Sequence, residues 1–257
     1  MVRILPPWFL LSLLLVVPAG LWGQGFRNVR DSALVAPHFH VHGGVGVPAG
    51  DWATRFGPGG TFGAGFHVKE RSGWMWGVHA TWMFGAPVKE PGLLGNLLTP
   101  AGELIDNEGQ VAFVTPSGRA GVFGAELGRV FRTPGLRANA NSGWLVKLGA
   151  ASIHHRVHFE NTENEITQLR EPYLAGYDRL SWGLGATGFA GYWHMGSSGR
   201  VNAYAGLTGW YGWLGSMRPV NFDTGLADPA RRRDSSVGLQ VGWVFQVYKL
   251  GTKTHWR

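Results

Sequence analysis

From Ala36 to Tyr248 one pattern repeats: apolar and polar side chains alternate at every second position, in segments separated by Gly-, Pro-, Asn- and Asp-rich breaks. A period of two is that of a β-strand, and helical periodicity is nearly absent after residue 24. Eight segments are readable, over 36–47, 60–69, 74–85, 119–131, 143–159, 181–194, 201–213 and 235–248. The third is the clearest, with Trp74, Trp76, Val78, Ala80, Trp82 and Phe84 on one face and Met75, Gly77, His79 and Thr81 on the other. In the first, Phe39, Val41, Val45 and Val47 oppose His38, His40 and His42. The phase of the fifth slips near Ser152, which predicts a bulge there or the strand leaving its burying environment.

The connections constrain the architecture further, because their lengths alternate. Long ones (48–59, 86–118, 160–180, 214–234) follow the odd segments and short ones (70–73, 132–142, 195–200) follow the even ones. An even number of strands with long loops at one end and short turns at the other is the pattern of an outer-membrane barrel. Aromatic residues agree. Trp74 and Trp82 stand eight residues apart on one face, and Trp182 and Tyr192 ten apart. With strand tilt, that is roughly 20 to 25 Å along a barrel axis, the height of a lipid-facing band. Trp213 and Trp243 complete the expected girdle. The reading is all-β: an eight-stranded antiparallel transmembrane β-barrel with long extracellular loops and short periplasmic turns. Eight strands enclose a lumen that side chains fill, which disfavours an open pore.

Composition removes other classes. With no Cys there is no disulfide, no thiolate metal site and no lipoprotein acylation site. At 44% apolar and 13% aromatic residues the chain is not disordered. Arg3, the apolar run Ile4 to Val17 and the small residues of 18–23 read as a secretory signal peptide over 1–23. The expected layout continues with a periplasmic segment over 24–35, the barrel over 36–248 and a periplasmic tail over 249–257. No later run is long enough for a transmembrane helix. Nucleic acid is not an expected partner, since the aromatics read as a lipid face on an exported chain.

Chemistry-bearing residues are few. His38, His40 and His67 sit on inward faces, and alternate-residue histidines are weak candidates for a metal. Their ordinary reading is a hydrogen-bonded polar lumen, because no carboxylate of fixed spacing accompanies them, and no cofactor is expected. Glu126 and Lys147 are nearly symmetric about the turn near Arg137, which predicts a structural salt bridge inside the lumen. Ser152, His154 and His155, with Glu160 beyond, are the nearest approach to a lipid-modifying site, but no nucleophile motif surrounds them. The long loops hold Asp178, Arg179, Asn221, Asp223 and the run Arg231-Arg232-Arg233, read as an extracellular loop network or partner surface, the arginines as a solvated loop. The stretch from Ala86 to Gly118, with Leu93, Leu94, Leu97, Leu98, Leu104 and Ile105, is too apolar for a floppy loop and is expected to fold over the barrel mouth or pack on a partner.

Several short motifs carry a family resemblance. Gly176-Tyr177-Asp178-Arg179-Leu180, Gly191-Tyr192, Asn202-Ala203-Tyr204-Ala205-Gly206, Asn221-Phe222-Asp223-Thr224 and Gly242-Trp243-Val244 are the main ones. Upstream come Leu97-Leu98-Thr99-Pro100-Ala101-Gly102, Ile105-Asp106, Asn141-Ser142-Gly143, His154-His155 and Asn161. In order and spacing, over roughly Pro37 to Tyr248, the chain resembles an uncharacterised outer-membrane β-barrel protein family of the Bacteroidota. The resemblance implies an integral outer-membrane barrel with no catalytic residues to carry over. The nine residues after Tyr248 depart from barrels that end on an aromatic. The expected function is a non-enzymatic structural or accessory subunit that binds outer-membrane lipid and other outer-membrane proteins, with secretion or barrel-assembly machinery as host by resemblance. A small-solute pore, a lipid-modifying enzyme and a soluble ligand-binding barrel are the alternatives.

Overall fold

The structure is a computed structural model that describes residues 33–132, 141–161, 166–196, 201–228 and 231–247. The expected signal peptide, most of the 24–35 segment, the turn around Arg137, Tyr248 and the tail 249–257 lie outside the described residues.

Among the described residues there are ten strands, numbered in chain order. Eight of them close the barrel: β1 (Ala36–Gly50), β2 (Gly59–Lys69), β3 (Trp74–Pro87), β6 (Thr115–Arg132), β7 (Gly143–Glu160), β8 (Ser181–Met195), β9 (Asn202–Ser216) and β10 (Arg232–Gln246). Each pairs antiparallel with its chain neighbour, and β1 pairs with β10 from His38↔Gln246 to Gly50↔Asp234, so no edge remains open. Closure matters because an open strand edge in hydrocarbon leaves backbone groups without partners. The loop between β3 and β6 carries a small hairpin, β4 (Leu104–Ile105) and β5 (Val111–Ala112), and the loop after β1 carries a one-turn helix, α1 (Trp52–Arg55).

Side chains alternate across the wall as the period predicts. Val41, Val45, Trp74, Val78, Trp82, Leu148, Trp182, Tyr192, Trp213, Leu239 and Trp243 all point outward and are exposed. A water-soluble chain does not surround itself with a continuous apolar belt of this extent. In the soluble alternative this Trp-rich face would line a cavity; it lies on the outside instead. At the lower edge the guanidinium of Arg129 lies over the rings of Trp74 and Phe131, 5.5 and 5.7 Å from their centroids. Val78, in the middle of the belt, is 56% exposed. Val78→Arg is expected to cost about 2–4 kcal/mol of folding free energy in lipid vesicles, measured by urea titration. An unchanged midpoint would mean that this wall does not face hydrocarbon.

Of the two readings at Ser152 the bulge is absent, and the strand leaving its burying environment is what is found. The register of β7 with β6 runs unbroken from Thr115↔Glu160 to Arg132↔Gly143. The polarity of its two faces inverts instead. Below Ser152 the outward residues are Trp144, Val146 and Leu148; above it Ile153, Val157 and Phe159 point inward and are buried, leaving His154, Arg156 and His158 outside. The irregularity lies in β3 between Met83 and Ala86, where Gly85 takes φ 69°, a left-handed conformation that glycine tolerates best. β6 and β10 also begin earlier than expected, so Arg232 and Arg233 are strand residues.

The interior is layered rather than uniformly polar. Met75, Val130, Leu145, Phe189 and Trp193 fill the end at the short turns. A polar layer follows at mid-height, then Val122, Ala151, Ile153 and Leu214 with Trp210 against them. The mouth is filled by Trp52 and Phe56 from the first long loop, packed with Met83, Leu94, Val157, Phe159 and Tyr177.

Candidate functional site

The polar layer is assembled from five strands. His38, His40 and His42 come from β1, His67 from β2, His79 from β3, Glu126 from β6 and Lys147 from β7. All face inward, and four of the five imidazoles take room that a glycine of the adjoining strand supplies. A Cβ on Gly65 would lie 2.5 Å from Cε1 of His40, one on Gly63 2.4 Å from Nε2 of His42, and one on Gly77 2.6 Å from Cδ2 of His67. These glycines are berths for the rings.

Glu126 is the hub. Its Oε1 accepts from Nζ of Lys147 and lies 2.7 Å from Nε2 of His67 and 3.8 Å from Nδ1 of His79. The pair is diagonal in the sheet, since Glu126 faces Gly149 and Lys147 faces Gly128 across the ladder. A carboxylate therefore does accompany the histidines, contrary to the expectation from spacing, because it arrives from a strand distant in sequence. The ammonium of Lys147 also stands 5.1 Å from the ring centroid of Phe189 and 5.6 Å from that of Tyr204, whose hydroxyl accepts from Nε2 of Gln240 at 2.9 Å. Beside the cluster is a cavity of about 60 Å³ lined by His40, His42, Thr61, His79, Thr81 and Gln240. Such a volume suits a few waters, not a solute path. Planar bilayers containing the protein are expected to show no stepwise conductance; ion-sized steps would contradict the packed lumen.

Near the mouth, Nε2 of His155 lies 2.7 Å from Oδ2 of Asp234 with both side chains fully buried, under the rings of Trp52 and Phe56. Arg232, expected in a solvated loop, is buried there too: its Nε is 3.3 Å from Oδ1 of Asp234 and its Nη2 donates to the carbonyl of Asp51 at 2.7 Å. Arg231 and Arg233 remain exposed. Ser152 and His154 do not converge with His155, because alternation puts them on the outside of the wall. There Oγ of Ser152 accepts from the indole of Trp182 at 2.9 Å, and His154 stacks on Phe123 at 5.7 Å between centroids. Both belong to the upper girdle.

The four long loops form a cap tied by charged groups. Arg179, in a left-handed conformation at φ 50°, donates through Nη2 to both carboxylate oxygens of Asp223 at 2.6 and 2.7 Å, and its Nε lies 3.5 Å from Glu90. Arg55 donates to Glu90 at 2.6 Å and to Asp228 at 3.1 Å, and Asp228 accepts from Nδ2 of Asn221 at 2.9 Å. Arg218 clasps Asp178 with bonds of 2.9 and 2.6 Å, and the carboxylate raises the guanidinium further above its already high pKa. The side chains of Asp178, Arg179, Asn221 and Asp223 are thus buried and hold the loops to one another. Glu90, Arg55 and Asp228 escaped the sequence reading, as did Trp52 and Phe56, although the four-residue spacing of those two rings is that of a helical turn. Among the side chains that the cap exposes are apolar ones: Leu98, Ile105 and Val111 on or beside the small hairpin, with Phe113 91% exposed.

A closed antiparallel barrel of eight strands, belted outside by apolar and aromatic side chains and filled inside, is the form that crosses an outer membrane. This chain is a transmembrane β-barrel. No protein-family model and no curated protein matches it. Among solved structures it is similar to Neisserial surface protein A, with 14% identity over 82% of this chain and 97% of that one and a TM-score of 0.42. It is also similar to the outer membrane protein OprG of Pseudomonas aeruginosa (11% identity, 85% and 100% covered, TM-score 0.38). A third is Ail, the attachment invasion locus protein of Yersinia pestis, solved with the heparin analogue sucrose octasulfate (10%, 82% and 99%, 0.36).

Proposed function

We propose that this barrel resides in a bacterial outer membrane as a non-enzymatic structural or accessory subunit, bound by lipid at its wall and by other outer-membrane proteins at its cap. The observation that carries the reading is the outer row Ile105, Val111 and Phe113 on and beside the small hairpin, exposed although Leu104, Ala112 and Val114 between them pack on the cap's core. A cluster of large apolar side chains left in water on an otherwise well-packed cap is the usual mark of a contact surface. The packed lumen supports the same reading, since a chain with no path through it works by its surfaces. Secretion or barrel-assembly machinery is the host that the family resemblance suggests.

The test is the native mass, with subunit identities, of the protein extracted from outer membranes in mild detergent. The expected result is a large defined complex that Val111→Asp with Phe113→Asp reduces to a lone barrel. The mature chain alone has a mass of about 25 to 26 kDa once a signal of this kind is removed. Recovery of the unaltered protein as that lone species would overturn the subunit reading and leave a free-standing barrel.

A further inference from the structure

We propose that His38, His40 and His67 bind a single transition-metal ion inside the barrel, of the kind that imidazole nitrogen suits, with Zn²⁺ as the type. The three side chains are buried, and one ligand atom from each lies within 4.8 Å of the other two. Nδ1 of His40 and Nδ1 of His67 are 3.2 Å apart. Two nitrogens on a tetrahedral ion with bonds of about 2.0–2.1 Å stand roughly 3.3 Å from each other, so this pair already has the required spacing.

The far sides of two rings are arranged as they are around bound metals. A ligating histidine keeps its other ring nitrogen on a backbone carbonyl or a carboxylate, which fixes the tautomer and aims the lone pair at the ion. Nδ1 of His38 is engaged by the carbonyl of Ala36 at 2.9 Å, so Nε2 is the atom it has to offer. Nε2 of His67 lies 2.7 Å from Oε1 of Glu126, and Nδ1 is the atom that faces His40. A simple hydrogen bond between His40 and His67 accounts for two of the rings; an ion accounts for all three.

The surroundings select the kind of ion. Three neutral nitrogens without an oxygen donor disfavour Mg²⁺ and Ca²⁺, which take oxygen ligands. Two buried ammonium groups share the lumen, Lys147 on Glu126 and Lys69 on Oδ1 of Asn141 at 3.0 Å, so the site suits an ion that binds imidazole strongly. The fourth position falls to water, for which the cavity beside His40 has room. Because side chains pack the lumen above and below, the ion enters as the strands close around it.

The test is to refold the full mature chain into detergent from metal-free denaturant, with one equivalent of Zn²⁺ or Co²⁺ added before or after refolding. Metal is then counted in the desalted, folded fraction, identified by its heat-dependent gel migration. Near-stoichiometric metal is expected when the ion is present during refolding, with visible d–d absorption from Co²⁺ in a nitrogen-rich site. His40→Gln is expected to lower occupancy roughly tenfold or more, while His154→Gln, at a histidine on the outer face of β7, keeps it. Wild-type protein refolded with the ion present but carrying no metal above background overturns the proposal, and so does equal loss in the two variants. If His40→Gln does not fold, His67→Gln takes its place, and wild-type protein refolded with the ion present and found empty still decides against the site.

Discussion

Glu126→Gln is expected to destabilise the barrel by about 3–5 kcal/mol, the cost of leaving a buried charge without its partner. The glutamate is the one carboxylate in contact with Lys147 among the described residues, and it also meets His67 and His79. Lys147→Met should cost less, because Glu126 keeps its histidines. Adding Lys147→Met to Glu126→Gln should restore part of the loss, since the stranded ammonium is then gone. Urea midpoints of the three variants in one detergent measure the coupling directly. Additive losses would mean that the two groups do not meet in the folded lumen.

The second large effect is expected in the cap. Asp223 accepts both bonds from Nη2 of Arg179 and lies 3.3 Å from the backbone N–H of Leu94, so it joins three of the four long loops. Asp223→Asn removes the charge opposite a buried guanidinium whose own backbone is left-handed. A local loss of about 3 kcal/mol raises the population of open loops roughly a hundredfold. Protease applied to the outside of reconstituted vesicles should then cleave the loops faster by about that factor, while the urea midpoint of the wall stays unchanged. An unaltered cleavage rate would show that the loops are held by the apolar packing of Trp52, Phe56, Leu94 and Tyr177 and not by the ion pairs.

The two faces of the wall differ in how well the sequence discloses them. Lipid demands apolar side chains at every outward position, so Trp74 to Phe84 and Val237 to Phe245 announce strand, phase and girdle together. Beyond the lipid that demand ends. In β7 the outward set becomes His154, Arg156 and His158 while Ile153, Val157 and Phe159 turn in to meet the cap, and the inversion imitates a change of phase. Arg232 misleads for a related reason: three consecutive arginines look like a solvated loop, yet the middle one turns in to Asp234. The lumen cluster was half visible. Each histidine could be placed on an inward face from its own strand, but the approach of Glu126 to His67 depends on the closure of β2, β3 and β6 into one sheet. The cap network depends on four loops meeting, and no local pattern encodes that meeting.

The most direct test of a wall turned toward lipid uses the absence of native cysteine. A single thiol placed at Leu239, in the outward belt of β10, or at Leu226, exposed in the last long loop, carries one spin label into vesicles. Power-saturation EPR then compares collisions with oxygen, which concentrates in hydrocarbon, and with a water-soluble nickel chelate. The label at Leu239 is predicted to meet oxygen and exclude the chelate, and the label at Leu226 to do the reverse. A label at Leu239 as open to the chelate as that at Leu226 would contradict a membrane-spanning barrel.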